Sequence, residues 1–405
     1  MIRRERYLNR IGPFINKPVI KVITGIRRSG KSTFLKMIIE ELRNKNINRK
    51  NILYINKDSL KYEQIKDYSS LNDHVLKRFK GIRGNKFLFI DEIQEISEWE
   101  KAVASFYSDK TADLYITGSN ARLLSSDLAT LLTGRYIEFK INTLVFSEFL
   151  KFRKKTIKDK EEEFRLFLKY GGFPGIHHMK YDNEVISQYI SSVYSTILLK
   201  DIVARNQIRD VDILERIVRY IIDNTGNITT AKGISNYIKS QHLTCAVDTV
   251  QNYITWLTDS YMAFKANRFD IKGKRILELY EKYYPGDIGF IFGIRGDKAV
   301  DISGKLENIV YLELLSRGYT VFIGKLYDRE VDFIATKYDQ KFYIQVAYLL
   351  SDEKVAEREF GVFSSIKDNY PKMVLSLDKY YGSEREGIKW FNIIDFLLSD
   401  LTDVL

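Results

Sequence analysis

One short segment constrains this chain more than any other. Gly25-Ile-Arg-Arg-Ser-Gly30-Lys31-Ser32 stands between an apolar run at 19–24 and a helical pattern at 33–42. The segment fits G-x-x-x-x-G-K-[ST] in full, with the strand before it and the helix after it that a phosphate-binding loop requires. Two glycines let the backbone wrap an anion without a Cβ clash. The loop amides and the N-terminus of the following helix then face the anion. Gly25, Ile26, Arg27, Arg28, Ser29, Gly30, Lys31, Ser32 and Thr33 are therefore expected to bind a nucleoside triphosphate. Lys31 is expected to reach the β- and γ-phosphates, and Ser32 to bind magnesium.

The surrounding pattern agrees. Short apolar runs at 19–24, 51–55, 87–90, 114–117 and 136–141 read as strands buried on both faces. Helical segments such as 32–43 and 125–132 alternate with them, which predicts an α/β domain with a parallel sheet. The run Phe87-Leu-Phe-Ile ends in Asp91-Glu92. It delivers two carboxylates to the carboxyl end of the sheet, where ligands of such sheets sit. Asp91 is expected to hold magnesium, and Glu92 to polarise the attacking water. With the strand at 51–55 lying between the two motifs, this pattern is that of P-loop ATPases of the additional-strand, catalytic-glutamate type, so ATP and Mg2+ are the expected ligands. The run 114–117 leads into Gly118-Ser119-Asn120, where Ser119 or Asn120 could sense the γ-phosphate or simply form a turn. Arg135 stands just before the last strand. In AAA+ ATPases an arginine at this place reaches into the neighbouring subunit's site and offsets transferred charge. Pairing with a carboxylate of its own subunit is the alternative.

These motifs recur in company. The loop, Asp-Glu-Ile-Gln94, Thr-Gly-Ser-Asn120, Leu-x-Gly-Arg135, Phe146-Ser-Glu-Phe149, Gly171-Gly-Phe-Pro174 and Lys200-Asp-Ile202 together resemble the prokaryotic AAA-type ATPases that carry a C-terminal domain of unknown function. The resemblance covers nearly the whole chain. It implies that Gly172 and Pro174 belong to a lid loop near the nucleotide; a plain helix–helix turn is the other reading.

Three domains are expected, at 1–150, 151–300 and 301–405. In the middle one, helices at 229–240 and 247–257 have helix-turn-helix spacing, with Val250, Ile254 and Leu257 as an inward stripe. Two strand-like runs, 261–269 and 274–280, follow around Lys272-Gly273, so a winged helix is expected. Its second helix exposes Asp248, Gln251 and Asn252 but no Lys or Arg, which is poor chemistry for reading bases. The turn Lys272-Gly-Lys274-Arg275 suits phosphates better. The C-terminal helix, three strands, helix and strand are similar in order to the PD-(D/E)XK nuclease core, with Glu307 or Glu313 and Asp332 as its acids. The third strand, however, reads Tyr343-Ile-Gln345-Val-Ala347. A neutral amide and an alanine replace the expected carboxylate and lysine, so an inactive nuclease fold is predicted.

A net charge of +11 and a pI near 9.2 favour polyanionic partners. One cysteine, Cys245, excludes an internal disulfide, and the four histidines lack zinc-motif spacing. No apolar stretch is long enough to span a membrane, and the basic N-terminus leads into no signal core, so a cytoplasmic protein is expected. The sequence therefore points to an ATPase that binds ATP/ADP and non-specific DNA and remodels nucleic acid as a homo-oligomeric ring. The alternatives are a STAND-like nucleotide switch and the ATPase component of a defence or toxin–antitoxin-like system.

Overall fold

The structure, a computed structural model, describes residues 2–124, 134–296, 301–350, 352–379 and 384–399. The helix expected at 125–132 lies outside these residues. Two compact units form: Met1–Ile141 with Asp259–Tyr261, and Asn142–Thr258 with Met262–Leu405.

The first unit is built on five parallel strands, β1 (Ile20–Thr24), β2 (Ile52–Asn56), β3 (Phe87–Asp91), β4 (Asp113–Thr117) and β5 (Tyr136–Lys140), in the order β2-β3-β4-β1-β5. Both β1 and β3 are buried at every position. Alternate residues feed two cores, as the two-residue period of a strand dictates: Leu88 and Ile90 join one, Phe87 and Phe89 the other. The strand that separates β1 from β3 in space is β4. β2, which lies between the two motifs in sequence, takes the sheet edge.

In the second unit, the helix Phe146–Arg153 packs against Lys160–Tyr170 through Phe146–Phe164 and Phe149–Phe167, with ring centroids 5.3 Å apart in each pair. The second unit thus begins at Asn142, whereas the first domain was expected to run to residue 150. The unit also holds a nine-stranded sheet: β6 (Ile228–Thr229), β7 (Ala263–Asp270), β8 (Arg275–Pro285), β9 (Thr320–Leu326), β10 (Arg329–Lys337), β11 (Gln340–Val346), β12 (Lys372–Ser376), β13 (Glu384–Arg385) and β14 (Ile388–Asn392). Their order is β13-β14-β12-β11-β10-β9-β7-β8-β6. Parallel pairing of Arg268–Asp270 with Ile323–Lys325 fuses the hairpin β7–β8 to the C-terminal strands. Residues expected on either side of a border at 300 thus share one sheet.

β8 runs five residues past the expected end at Tyr280. Its register against β7 shifts between Ala266 and Arg268, and Tyr280 has a φ of 67°. A bulge of this kind lets a strand resume after an irregular stretch. The expected inward stripe of Val250, Ile254 and Leu257 is buried. Among the described residues no helix is long and apolar enough to cross a membrane.

Candidate nucleotide site and a second polar cleft

The loop after β1 adopts a backbone that only its sequence permits. Gly25 has a φ of 136°, and a Cβ there would lie 2.1 Å from the Ile141 carbonyl oxygen. Gly30, at φ 99°, precedes the helix Lys31–Asn44. The Lys31 ammonium, almost wholly buried, donates to the carbonyls of Gly25 (2.9 Å) and Ile26 (3.1 Å). The Ser29 hydroxyl is buried with no hydrogen-bond partner among the described residues. Arg4, which sequence reasoning passed over, backs the loop by donating to the Ser29 carbonyl at 3.2 Å. A loop with a folded-back ammonium, an orphaned hydroxyl and a helix N-terminus fits a phosphate group. Ser32 is partly accessible and Thr33 exposed at the start of that helix. Arg27 is partly buried and Arg28 exposed, and Ile26 is buried.

Asp91 and Glu92 stand at the carboxyl end of β3, both buried. Asp91 Oδ1 accepts from the Thr117 hydroxyl (2.6 Å) and Oδ2 from the Tyr54 hydroxyl (2.7 Å). Glu92 sits at φ 55°, and its amide donates to Thr117 Oγ1 at 2.9 Å. Its carboxylate accepts from Gln94 Nε2 at 2.5 Å. Thr117, Tyr54 and Gln94 therefore position the two acids; Gln94 and Thr117 stood only within quoted motifs, and none of the three was given this role from sequence. Tyr54 lay within the strand run at 51–55 and Thr117 at the end of the run at 114–117, and hydroxyl partners from adjacent strands leave no local pattern. Magnesium would be held by Asp91 and Ser32 and would neutralise charge on phosphate oxygens.

Ser119 and Asn120 are buried at the tip of β4. The Asn120 side-chain oxygen accepts from the Arg122 amide at 2.7 Å, which ties it into the local turn. Arg135 is exposed, with its guanidinium over the Tyr107 ring at 5.6 Å.

The Gly171-Gly172 pair packs within the second unit. At φ 76°, a Cβ on Gly171 would meet Asp287 Oδ1 at 1.9 Å, and one on Gly172 would meet the Leu144 carbonyl at 2.1 Å. Asp287 accepts from the amides of Gly172 (2.9 Å) and Gly289 (2.8 Å). Complete burial pushes its carboxyl up to about 6, against the pull of Thr143, Gly172 and Gly289.

The same unit carries a cleft of about 980 Å3 whose lining includes Glu307, Glu330, Asp332, Gln345 and Lys282. Lys282 of β8 joins three of its acids, 3.1 Å from Glu307, 2.6 Å from Glu330 and 3.8 Å from Asp332. The Tyr284 hydroxyl also donates to Glu307, at 2.9 Å. Burial alone would lower the ammonium, but the Glu307, Asp332 and Glu330 charges outweigh it and hold Lys282 above the ordinary lysine range. Burial, then the Glu307 charge, pushes Asp332 well above the usual carboxylate range. The lysine that β11 lacks is thus matched by one from β8, beyond the point where that strand was expected to stop. Asp332 Oδ2 accepts from the Val346 amide (2.8 Å), and Gln345 Oε1 from the Asp332 amide (3.2 Å). Asp332 Oδ2 and Gln345 Oε1 thus bind backbone amides, and the Lys282 ammonium stands among Glu307, Glu330 and Asp332. Among the described residues no group of His, Cys, Asp and Glu forms a metal cluster. Glu313, the other candidate acid, binds Arg317 instead, at 2.6 Å.

Comparison with known proteins agrees with the first unit's geometry. A family model for an AAA domain matches residues 17–150, and one for a domain of unknown function matches residues 161–299. An uncharacterized protein of Haemophilus influenzae is 36% identical over 400 residues, spanning 98% of this chain and 99% of that relative. The chain belongs to this family of AAA-domain proteins. Another relative, from Methanocaldococcus jannaschii, is 34% identical over 367 residues, 86% of this chain and 79% of its own. A Walker-type ATPase of Pyrococcus abyssi superposes with a TM-score of 0.52 at 15% identity, covering 73% of this AAA-domain chain and 96% of its own. That likeness is one of fold.

Proposed function

We propose that this AAA-domain protein hydrolyses ATP with magnesium and uses the energy to remodel nucleic acid as a homo-oligomeric ring. The observation that carries the reading is the pair Asp91–Glu92, held by Thr117, Tyr54 and Gln94 on the same sheet whose β1 ends in the phosphate-binding loop. Lys31 and the loop amides would bind the phosphates, Asp91 and Ser32 the metal, and Glu92 would take the proton of the attacking water. Ser119 and Asn120 lie at the strand tip where a γ-phosphate would be sensed. The exposure of Arg135 leaves it able to reach a second copy. The sequence of helix Val211–Asp223, β6, two helices and the hairpin β7–β8, with β6 antiparallel to β8, supports a winged helix. The helix Ile302–Ser316 with β9 to β12 supports a PD-(D/E)XK-like core, and Gln345 and Ala347 in place of its strand carboxylate and lysine support one that does not cleave.

ATP turnover measured with and without single-stranded, duplex and branched DNA, at two salt concentrations, tests the reading. Stimulation that weakens with salt is expected. Glu92→Gln should keep ATP binding and lose at least about 100-fold in turnover. Wild-type turnover in that variant would sink the assignment. A nucleotide-dependent switch with slow hydrolysis is the second reading. It is favoured by the Lys31 ammonium bound to its own loop and by both Asp91 oxygens being capped. ADP retained through purification, with no DNA stimulation, would decide for it.

A further inference from the structure

A second concavity, of about 610 Å3, opens beside the edge strand β2 on the first unit. Its wall carries Lys36 and Arg43 from the helix Lys31–Asn44, Arg49 and Lys61 from the segments either side of β2, and Arg78 from the helix Tyr68–Phe79. All five side chains are exposed, and Glu40 is the sole acid in the lining. No ion pair joins any of the five to a carboxylate among the described residues. The field they create is felt nearby: after burial, the charges of Lys61, Arg78 and Lys77 hold His74 below the ordinary imidazole range. Five cations converging on one hollow repel each other, and folding alone gives no reason to gather them.

The floor is apolar and aromatic. Leu53 and Tyr62 are buried there, Tyr54 half-buried, and the Lys61 ammonium lies 5.2 Å from the Tyr62 ring centroid. A cationic rim over an aromatic floor matches the two faces of a single nucleic-acid strand, its phosphates and its unpaired bases or sugars. A duplex keeps its bases stacked inside and offers a hollow of this kind phosphates alone. An acidic peptide would satisfy the rim and leave the floor unmatched.

We propose that this groove binds the backbone of single-stranded nucleic acid, with Lys36, Arg43, Arg49, Lys61 and Arg78 as its phosphate contacts. The proposal rests on the nucleic-acid reading above and gives it a place on the ATPase unit itself. It differs from the hairpin turn at Lys272–Arg275, because it lies on the sheet that carries Asp91.

The test uses the full chain and a fluorescein-labelled oligothymidine, with anisotropy read across a salt series. The paired charge reversal Arg49→Glu/Arg78→Glu is compared with Arg49→Gln/Arg78→Gln, each checked for folding by thermal melting. Each phosphate contact removed should flatten the slope of log affinity against log salt by about 0.7, so either pair should flatten it by about 1.4. The reversal should weaken binding at least about tenfold at low salt. Wild-type protein that binds the oligomer, with folded variants binding it equally well, overturns the groove and leaves the nucleic-acid reading standing. Wild-type protein that binds no nucleic acid overturns both. Preference for duplex over single strand, or displacement of the oligomer by polyglutamate at matched charge, also overturns the groove.

Discussion

The Tyr54 hydroxyl donates a 2.7 Å hydrogen bond to Asp91 Oδ2 from the neighbouring, edge strand of the sheet. Burial, then the Asp91 charge, raises the phenol well above its usual range, so it stays a donor throughout the working pH range. Partners that orient a metal-binding carboxylate typically affect metal affinity 10- to 100-fold. Tyr54→Phe should therefore raise the magnesium concentration for half-maximal ATP turnover about tenfold. A magnesium titration at saturating ATP reads this directly, and an unchanged midpoint removes Tyr54 from the site.

Arg135 offers a test of assembly. It is exposed, and its guanidinium rests on Tyr107. If it serves a neighbouring subunit, Arg135→Ala and Glu92→Gln should each be nearly inactive alone. Mixed together they should recover measurable turnover, because some interfaces regain both groups. A monomer by light scattering with full activity, or mixtures no better than the separate variants, would rule this out.

The Lys282 cleft predicts stability and chemistry together. Removing one partner of a buried ion cluster costs about 3–5 kcal/mol, because the remaining charges are left uncompensated. Lys282→Met should lose about that much in urea unfolding. With Gln345 and Ala347 in place of the strand carboxylate and lysine, plasmid, linear and branched DNA should survive magnesium or manganese. Asp332→Ala should leave DNA affinity within about twofold, since phosphate contacts set affinity. Metal-dependent cleavage abolished by Asp332→Ala would make this chain a nuclease.

Asp287 gives a pH signature. Its folded value, about 6, lies above the ordinary 3.8. The protonated carboxyl is thus favoured by the fold. That stability is fully present below pH 3.8 and is lost as pH rises through 6. Two units correspond to about 3 kcal/mol. The stability of the wild type relative to Asp287→Asn should therefore fall by about 3 kcal/mol between pH 3.5 and 7.5. A pH-independent difference in urea midpoints would contradict the assignment.

Much of the first unit was legible because its signals are local. The apolar runs before Gly25 and Asp91 match β1 and β3 closely, since a strand buried on both faces must be apolar throughout. The Val250, Ile254 and Leu257 stripe is local too, read from apolar residues spaced one helical turn apart. What escaped was set by distant partners. Thr117 and Tyr54 converge on Asp91 from two other strands, and Lys282 comes after an irregular stretch that broke the alternation expected of β8. The short pair β13–β14 was missed too: β13 is only Glu384-Arg385, and β14, mostly half-buried, is five residues that run straight into the last helix. The border placed at 300 matched a change in local pattern, whereas the β7–β9 pairing that crosses it depends on contacts more than fifty residues apart.

That crossing limits how the protein can be taken apart. A chain divided at residue 300 would part β7 from β9, leaving backbone donors and acceptors open on two new sheet edges, a known route to aggregation. It would also sever a charge balance. The C-terminal piece would keep Glu307, Glu330 and Asp332, while the cation that lets them share one cleft would leave with the other half.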